Sequence, residues 1–345
     1  MLDCNMGSAQ LPFVSVLLVT RNEKNYIERS LMSLINQTYP KDKYEIVIAD
    51  GKSEDGTLDA VRKFQDKCIK EGLVITVVTN EKKILATGWN IAINAAKGEY
   101  VTRIDAHAEA EPDFVENSIK AILKVDAVCV GGKLTSLSLD GAENVISKVL
   151  SSPFGVGNSS FRVSSQACYA DTAVYGLYKK SVFEEVGYFN EKMVRNQDIE
   201  LHSRIKAAGY KFYFDPSIKS TYYTRTTLSK MLKQAYGNGF WNMILLKKGS
   251  SALSLRHLIP FAFVVFLMLS IIGGYFWRTI WALCLGIVCL HLCLGLYFAG
   301  KKTHSLLEIL EMSWLFMSLH LAYGWGYIYI QEDLICEIQV YEKLS

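Results

Sequence analysis

Val14-Ser15-Val16-Leu17-Leu18-Val19 is a short apolar run, and the polar residues Thr20-Arg21-Asn22-Glu23 follow it directly. β-Branched residues favour strands, and the apolar spacing of residues 26–37 predicts a helix after the polar cluster. The same order continues along the chain, with strands predicted over 45–49, 73–79 and 100–104 and with helices from Leu58 and over 89–96. Such alternation predicts an α/β fold with a doubly wound, mostly parallel sheet.

Polar clusters stand where three of these strands end, at residues 20–23, 50–57 and 105–107. Sheets of this kind bind ligands beyond the carboxyl ends of their strands, so the clusters predict a binding site. The candidate binding residues are Thr20, Arg21, Asn22, Glu23, Asp50 and Asp105. Neither a Gly-x-Gly-x-x-Gly turn after the first strand nor a Walker-type Gly-x-x-x-x-Gly-Lys-Ser/Thr loop occurs, which disfavours a dinucleotide dehydrogenase and a P-loop NTPase.

Asp105 and His107 lie two residues apart just past the strand over 100–104. A carboxylate and an imidazole at this spacing are candidate ligands for one divalent cation, Mn²⁺ or Mg²⁺, with the imidazole favouring Mn²⁺. Such an ion stabilises the charge on a departing diphosphate. The alternative interpretation is that Asp105 and His107 lie in a solvent-exposed turn at the end of the strand and bind no metal.

Asp198 stands at the start of a helix predicted over residues 197–208. One carboxylate suffices as the base of an inverting group transfer, because no covalent intermediate has to form. The alternative is a structural role, since acidic residues in a first helical turn are stabilised by the helix dipole.

Arg21 also has two interpretations. Its side chain either contacts the ligand, by stacking on a base or pairing with phosphate, or lies on the surface.

Half of the 345 residues are hydrophobic, and the apolar excess is concentrated after residue 245. Runs over 258–276 and 279–299 are each long enough to cross about 30 Å of hydrocarbon. A third run over 312–330 has two interpretations, a membrane span or an interfacial or re-entrant segment. The predicted organisation is therefore a catalytic domain over 1–245 and a membrane region over 246–345.

Positive charge flanks these runs unevenly. Lys247, Lys248 and Arg256 precede the first run and Lys301 and Lys302 follow the second, whereas only Arg278 lies between them. Cationic flanks stay on the cytoplasmic side, which predicts a multi-pass inner-membrane protein with a cytoplasmic N-terminal domain. The net charge of +3 gives no support to a nucleic-acid partner.

The stretches 14–23, 50–57 and 98–108 together resemble family 2 glycosyltransferases of the GT-A fold, in the branch that includes the succinoglycan biosynthesis glucosyltransferase ExoA. Further resembling segments are 152–157, Asp171-Thr172, 196–200 and Asp215-Pro216. This resemblance implies that Asp50 contacts the nucleotide base and that Asp105 and His107 hold the metal. It likewise implies that Asp198 is the catalytic base.

Two departures from the family pattern bear on function. His107 replaces the second Asp of the usual Asp-x-Asp, which makes one metal ligand neutral. The segment Gln234-Ala235-Tyr236-Gly237 lacks the Gln-x-x-Arg-Trp of processive synthases, so an extruding polymerase is not expected. The expected enzyme is an inverting hexosyltransferase that moves a sugar from a nucleotide-sugar, a UDP-sugar first of all, to a lipid-linked oligosaccharide in surface or exopolysaccharide biosynthesis. Membrane lipids are expected partners. The alternatives are a polyprenyl-phosphate sugar synthase and an inactive assembly factor of the same fold.

Overall fold

The structure is a computed structural model, and it describes residues 11–138, 144–157, 160–224, 227–247, 253 and 255–328. The chain divides into two compact units, Met1–Arg225 and Thr226–Ser345. The first unit is α/β and the described part of the second is helical. The helix Leu228–Lys247 groups with the second unit, whereas the sequence placed most of it in the catalytic domain.

Within the described residues, nine strands form one sheet in the order β3-β2-β1-β4-β8-β6-β9-β5, and β7 pairs with β9. The strands are β1 (Val14–Thr20), β2 (Tyr44–Asp50), β3 (Val74–Thr79), β4 (Tyr100–Asp105), β5 (Ala108–Ala110), β6 (Cys129–Ser138), β7 (Cys168–Ala170), β8 (Leu177–Lys179) and β9 (Phe212–Thr224).

The four strands that the sequence predicts are parallel to one another, in the spatial order β3-β2-β1-β4. Beyond β4 the sheet is mixed. β8 is antiparallel to β4 and β6, β6 is parallel to β9, and β5 and β7 are antiparallel to β9. The predicted α/β fold is confirmed, and its parallel character belongs to the N-terminal half of the sheet.

The central strands are apolar because both faces of the sheet are covered. Val16 and Leu18 of β1 pack with Leu31 on one face, whereas Leu17 packs with Trp89 and Ile93 on the other. A strand buried on both sides loses the apolar–polar alternation of a half-exposed strand, which explains the continuous run over residues 14–19.

Helices of the first unit follow the strands, and each predicted helix is present with an end shifted by a few residues. They are α1 (Lys24–Ile35), α2 (Thr57–Lys70), α3 (Leu85–Ala95), α4 (Phe114–Ile122), α5 (Val145–Leu150), α6 (Pro153–Val156), α7 (Ser160–Val163), α8 (Ser181–Val186) and α9 (Gln197–Ala207). A 3-10 turn, Lys41–Lys43, precedes β2.

The second unit contains α10 (Leu228–Lys247), α11 (Leu255–Phe276), α12 (Arg278–Gly300) and α13 (Leu306–Gly326). By length and composition, α11, α12 and α13 are each able to cross a membrane. The predicted runs 258–276 and 279–299 lie within α11 and α12. The predicted run 312–330 overlaps α13, and its residues 329 and 330 lie outside the described residues.

Candidate active site

Three predicted site residues meet at one edge of the sheet because their strands are in register. Thr20 at the end of β1 lies opposite Asp50 at the end of β2, and Val19 lies opposite Asp105 at the end of β4. Parallel strands bring their carboxyl ends to the same edge, so the polar clusters that follow them are neighbours. The convergence expected from the sequence is present in the structure.

The loops after β1 and β2 are joined by hydrogen bonds. The Asn22 N–H donates to Ser53 Oγ over 2.9 Å, and the Glu54 N–H donates to Asn22 Oδ1 over 2.9 Å. Asn22 has φ +55°, a left-handed conformation that Asn tolerates better than most residues. The Glu23 N–H donates to Thr57 Oγ1 over 2.9 Å, which ties the start of α1 to the start of α2. These bonds hold the polar rim of the site in one shape.

Asp50 is 3% exposed, and its own loop holds its carboxylate. Ser53 donates to it from the backbone N–H over 2.9 Å and from Oγ over 2.6 Å. The Arg21 side chain lies over Gly51, where an added methyl group would come to 3.2 Å from Arg21 Cβ. Asp50 is therefore fixed in position, and its contact with a nucleotide base remains a prediction.

Asp105 accepts a hydrogen bond from the Tyr175 hydroxyl over 3.0 Å. Burial raises the pKa of Tyr175 well above its ordinary value, and the charge of Asp105 adds to this effect, so the phenol stays protonated as a donor. Tyr175 has φ +45°, which is rare for an aromatic residue. This contact orients the first predicted metal ligand.

His107 lies between Glu23 and Tyr222. Its Nδ1 is 3.7 Å from Glu23 Oε1, too far for a hydrogen bond, and its ring is 4.9 Å from that of Tyr222. His107 Nδ1 is a buried polar atom without a hydrogen-bond partner, as are Thr20 Oγ1, Asn80 Oδ1 and Arg103 Nε. Buried polar groups are normally paired, so these atoms are available to a ligand.

Asp198 lies in the first turn of α9 and pairs with a residue that no sequence motif singled out. Arg103 on β4 donates from Nη2 to Asp198 Oδ2 over 3.2 Å. The Arg103 side chain is 11% exposed, whereas that of Asp198 is 40% exposed. The guanidinium lies 5.4 Å from the ring centre of Trp89 and 5.7 Å from that of Phe189. Arg103 is thus a fixed charge behind an accessible carboxylate.

Two opposing effects set the pKa of Asp198. Burial raises this pKa, whereas the charge of Arg103 and a hydrogen bond from the Ile199 N–H lower it. The lowering effects are larger, so the pKa of Asp198 lies below the ordinary value for Asp. Asp198 is therefore ionised at neutral pH and is able to accept a proton.

His202, one turn after Asp198 on α9, is held by two hydroxyl groups. Thr172 Oγ1 lies 2.7 Å from its Nδ1, and the Tyr178 hydroxyl lies 2.7 Å from its Nε2. Burial lowers the pKa of His202 to about 3. The imidazole is consequently neutral and links α9 to β8.

Other polar groups of the same region are engaged elsewhere. Glu200 pairs with Arg204 through two contacts of 2.9 Å, and Arg204 also donates to the carbonyl of Tyr188 over 2.7 Å. Glu200 therefore supports α9 instead of offering a free base.

Residues 15–187 match the sequence profile described as Glycosyl transferase family 2. The chain belongs to this family. It is therefore a glycosyltransferase, and its relatives act in glycan biosynthesis.

Two curated relatives illustrate the similarity. One, from Methanococcus voltae, is named dolichyl N-acetyl-alpha-D-glucosaminyl phosphate 3-beta-D-2,3-diacetamido-2,3-dideoxy-beta-D-glucuronosyltransferase. It is 34% identical to this glycosyltransferase, with 76% of this chain and 82% of the relative covered. The other is the succinoglycan biosynthesis protein ExoA of Rhizobium meliloti (strain 1021), 27% identical, with 74% of this chain and 78% of the relative covered.

A solved structure has the same fold. The mannosyltransferase PcManGT from Pyrobaculum calidifontis, in complex with GDP-Man and Mn²⁺, aligns with a TM-score of 0.62 and 19% identity. The alignment covers 92% of this chain and 88% of that chain. The GT-A fold implied by the sequence resemblance is confirmed.

Sequence reasoning missed Arg103, Tyr175, His202 and Asn80. Asn80 follows β3 directly, and its N–H donates to the Asp50 carbonyl over 2.8 Å. The rule that polar residues at strand ends mark the site applies equally to Asn80. Arg103, Tyr175 and His202 carried no such signal, because their partners are distant in the chain. Arg103 pairs with Asp198, 95 residues away, and Tyr175 pairs with Asp105, 70 residues away. The two partners of His202 lie 24 and 30 residues away.

Proposed function

We propose that this glycosyltransferase moves a sugar, with inversion, from a nucleotide-sugar to a lipid-linked oligosaccharide at the cytoplasmic face of the inner membrane. A UDP-sugar is the first donor to test. The observation that carries the proposal is the position of Arg103, whose charge interacts with both Asp198 and Asp105. The proposed base and the proposed metal ligand are thereby neighbours of one fixed guanidinium at the edge of the sheet.

Asp198 is the proposed catalytic base. Its ionised carboxylate takes the proton of the acceptor hydroxyl as that oxygen attacks the anomeric carbon, while the nucleoside diphosphate leaves with the bonding electrons. One carboxylate is enough for this single displacement. Arg103 keeps the carboxylate ionised and fixes its orientation, and the 40% exposure of the side chain leaves room for an acceptor.

Asp105 and His107 are the proposed ligands of a divalent metal, Mn²⁺ or Mg²⁺. The unpaired Nδ1 of His107 fits this role, because an imidazole nitrogen without a hydrogen bond is available to a cation. Among the described residues, no group of three or more His, Cys, Asp or Glu side chains is placed to hold a metal. Two protein ligands fit an ion that shares the diphosphate of the donor, where it would neutralise the developing charge. PcManGT, of the same fold, holds Mn²⁺ with GDP-Man.

A lipid-linked acceptor is supported by two observations. The second unit contains long apolar helices, which an enzyme with only water-soluble substrates would not need. The name of the Methanococcus voltae relative specifies a dolichyl-phosphate-linked N-acetylglucosamine. The positive charges of Lys247 and Arg256 near the start of α11 and of Lys301 and Lys302 after α12 favour a cytoplasmic catalytic domain.

The test is transfer by the purified full chain with a panel of UDP-, GDP- and TDP-sugars in the presence of Mn²⁺. Each donor is offered with a lipid-linked oligosaccharide and, separately, with a polyprenyl phosphate. Transfer to the oligosaccharide alone supports the proposal. Transfer to the polyprenyl phosphate alone would identify a polyprenyl-phosphate sugar synthase. The donor site is probed in parallel by nucleotide-sugar binding, which does not depend on the acceptor.

A further inference from the structure

Arg162 of α7 is a partly buried arginine that the proposed reaction does not use. Its Nη1 donates to Ser136 Oγ of β6 over 3.2 Å and to the Leu150 carbonyl at the end of α5 over 3.0 Å. The guanidinium also lies 5.4 Å from the ring centre of Phe161. These contacts anchor the side chain between α5 and the sheet, and they close the loop that contains residues 152–157.

Among the described residues, the contacts of Arg162 include no carboxylate. Two other partly buried arginines of the same unit do have acidic partners. Arg103 pairs with Asp198, and Arg204 pairs with Glu200. A charge that is withdrawn from water is costly unless an opposite charge lies beside it. The uncompensated guanidinium of Arg162 therefore indicates that its partner is an anionic group of a ligand.

The edge of the Arg162 guanidinium that carries Nε and Nη2 is left for this ligand. Both bonds to the protein come from Nη1, and no described residue accepts from the other two nitrogen atoms. Neither of these atoms is fully buried, in contrast to Nε of Arg103. Nε and Nη2 of an arginine donate two parallel hydrogen bonds, an arrangement that fits two oxygens of one phosphate group.

A row of residues across three strands connects Arg162 with a proposed metal ligand. Ser136 of β6 lies opposite Tyr222 of β9, and Tyr222 lies opposite Ala108 of β5. Neighbouring strands are about 5 Å apart, and side chains in one row share a face of the sheet. His107 directly precedes Ala108, and its ring is 4.9 Å from that of Tyr222. The anchor of Arg162 is therefore only two strands away from the strand that follows His107.

The two tyrosines that contact the proposed metal ligands also interact with Arg162. Burial lowers the pKa of Arg162, and the interactions with Tyr222 and Tyr175 oppose this effect. Tyr222 packs on His107, and the Tyr175 hydroxyl donates to Asp105 over 3.0 Å. The positive charge of Arg162 thus acts on the surroundings of the proposed metal site, where it attracts a phosphate group more strongly than it attracts a neutral sugar.

We propose that Arg162 binds a phosphate group of a substrate through Nε and Nη2, in a subsite beside the proposed metal ligands. This inference rests on the proposed function, in which both substrates carry phosphate. One source is the diphosphate of the nucleotide-sugar, and the other is the phosphate of the lipid-linked acceptor. Arg162 takes no part in proton transfer. Its charge is permanent and, unlike that of the metal, does not depend on a bound ion.

The test measures ligand binding to the purified full chain and to its Arg162→Gln and Arg162→Lys variants. The donor arm uses inorganic diphosphate with Mn²⁺, and the acceptor arm uses geranylgeranyl phosphate in detergent micelles. We expect Arg162→Gln to weaken binding about ten- to hundred-fold in at least one arm. Arg162→Lys should lose less, because lysine keeps the charge and lacks the paired donors. A loss in the donor arm assigns Arg162 to the nucleotide-sugar, and a loss in the acceptor arm assigns it to the lipid phosphate.

Two further variants serve as controls. Arg62→Gln removes an exposed arginine that pairs with Asp59 on α2, and it should leave both affinities unchanged. Ser136→Ala removes one anchor and keeps the guanidinium, so it should weaken binding less than Arg162→Gln does. Thermal unfolding checks that each variant is folded, and Arg162→Lys and Ser136→Ala carry the comparison if Arg162→Gln is not.

Two results would overturn the inference. One is wild-type affinity of both Arg162 variants in both arms. The other is an equal loss in Arg162→Gln and Arg162→Lys, because the charge would then not be what binds the ligand. Failure of the wild-type enzyme to transfer a sugar would instead refute the proposed function, and the two binding arms would still decide whether Arg162 holds a phosphate.

Discussion

Arg103 of β4 and Asp198 of α9 are 95 residues apart in the chain, yet the guanidinium donates to the carboxylate over 3.2 Å. The two partners differ in exposure, with 11% for the Arg103 side chain and 40% for that of Asp198. The weakly solvated charge stays in place between two aromatic rings, and the exposed carboxylate is the group that an acceptor reaches. This asymmetry suits a base that must remain ionised and accessible, and it underlies the first two predictions.

Replacing Asp198 by Asn keeps the shape of the side chain and removes its basicity. We expect kcat to fall by about 10²- to 10⁴-fold, the usual effect of losing a general base, with donor binding nearly unchanged. Steady-state kinetics and nucleotide-sugar binding measure the two quantities. The matched control is Glu200→Gln on the same helix turn, which loses the pair with Arg204 but should retain most of kcat. A nearly wild-type kcat in Asp198→Asn would assign the base to another residue.

Arg103→Met should move the acidic limb of the kcat/KM profile to higher pH. Arg103 lowers the pKa of Asp198 in the wild type, so removing its charge raises that pKa and leaves the base protonated over a wider acidic range. Arg103→Lys keeps the charge and should shift the limb less. The measurement is kcat/KM as a function of pH for all three proteins. An unmoved acidic limb in Arg103→Met would mean that the ion pair does not control the ionisation of the base.

The metal proposal predicts different outcomes at its two ligands. Asp105→Ala should abolish turnover, because it removes the one carboxylate that is proposed to hold the metal. His107→Asp should retain activity and shift the preference from Mn²⁺ towards Mg²⁺, since a harder ligand suits a harder ion. Activity in EDTA-treated enzyme after addition of each metal measures both effects. Full activity of Asp105→Ala in EDTA would refute the metal site.

His202 should make stability depend on pH in the acidic range. Its pKa is about 3 in the folded chain, below the ordinary value of about 6.5, so between these values the unfolded chain binds more protons. The free energy of unfolding should therefore decrease as pH falls from about 6.5 towards 3. His202→Gln should be less stable at neutral pH by about 1–3 kcal/mol and should lose part of this pH dependence. Thermal unfolding in detergent measures it, with exposed His304→Gln as the control.

Separation of the two units should distinguish donor binding from lipid-acceptor use. Because α10 packs closely on α13 through Gly239 and Gly326, truncation after Arg225 avoids cutting the helical unit, whereas truncation at Lys248 would leave α10 without its partner. We expect the fragment to bind nucleotide-sugar. Its transfer to a lipid-linked acceptor should fall far more than transfer to a short water-soluble analogue. Equal losses would assign the helical unit to folding or localisation.

Much of the site was predictable because it follows from local order. Asp50 and Asp105 come directly after apolar strands, and parallel strands in register bring such residues to one edge. His107 is two residues further on, so its place near that edge follows as well. Tyr175 and His202 could not be predicted in the same way, since each acts through a partner that only the folded chain brings near.

The sequence by itself determined the α/β alternation, the polar strand ends and the apolar helices, because these depend on residue type and on spacings of a few residues. Only the tertiary structure decided that the sheet becomes mixed beyond β4, that Arg103 pairs with Asp198, and that α10 packs against α13. Hydropathy reports whether a helix prefers an apolar surrounding, and it does not say which helix packs against which. The pairing of α10 with α13 comes instead from contacts such as Gly326 against Tyr236, which exist only after distant helices have packed.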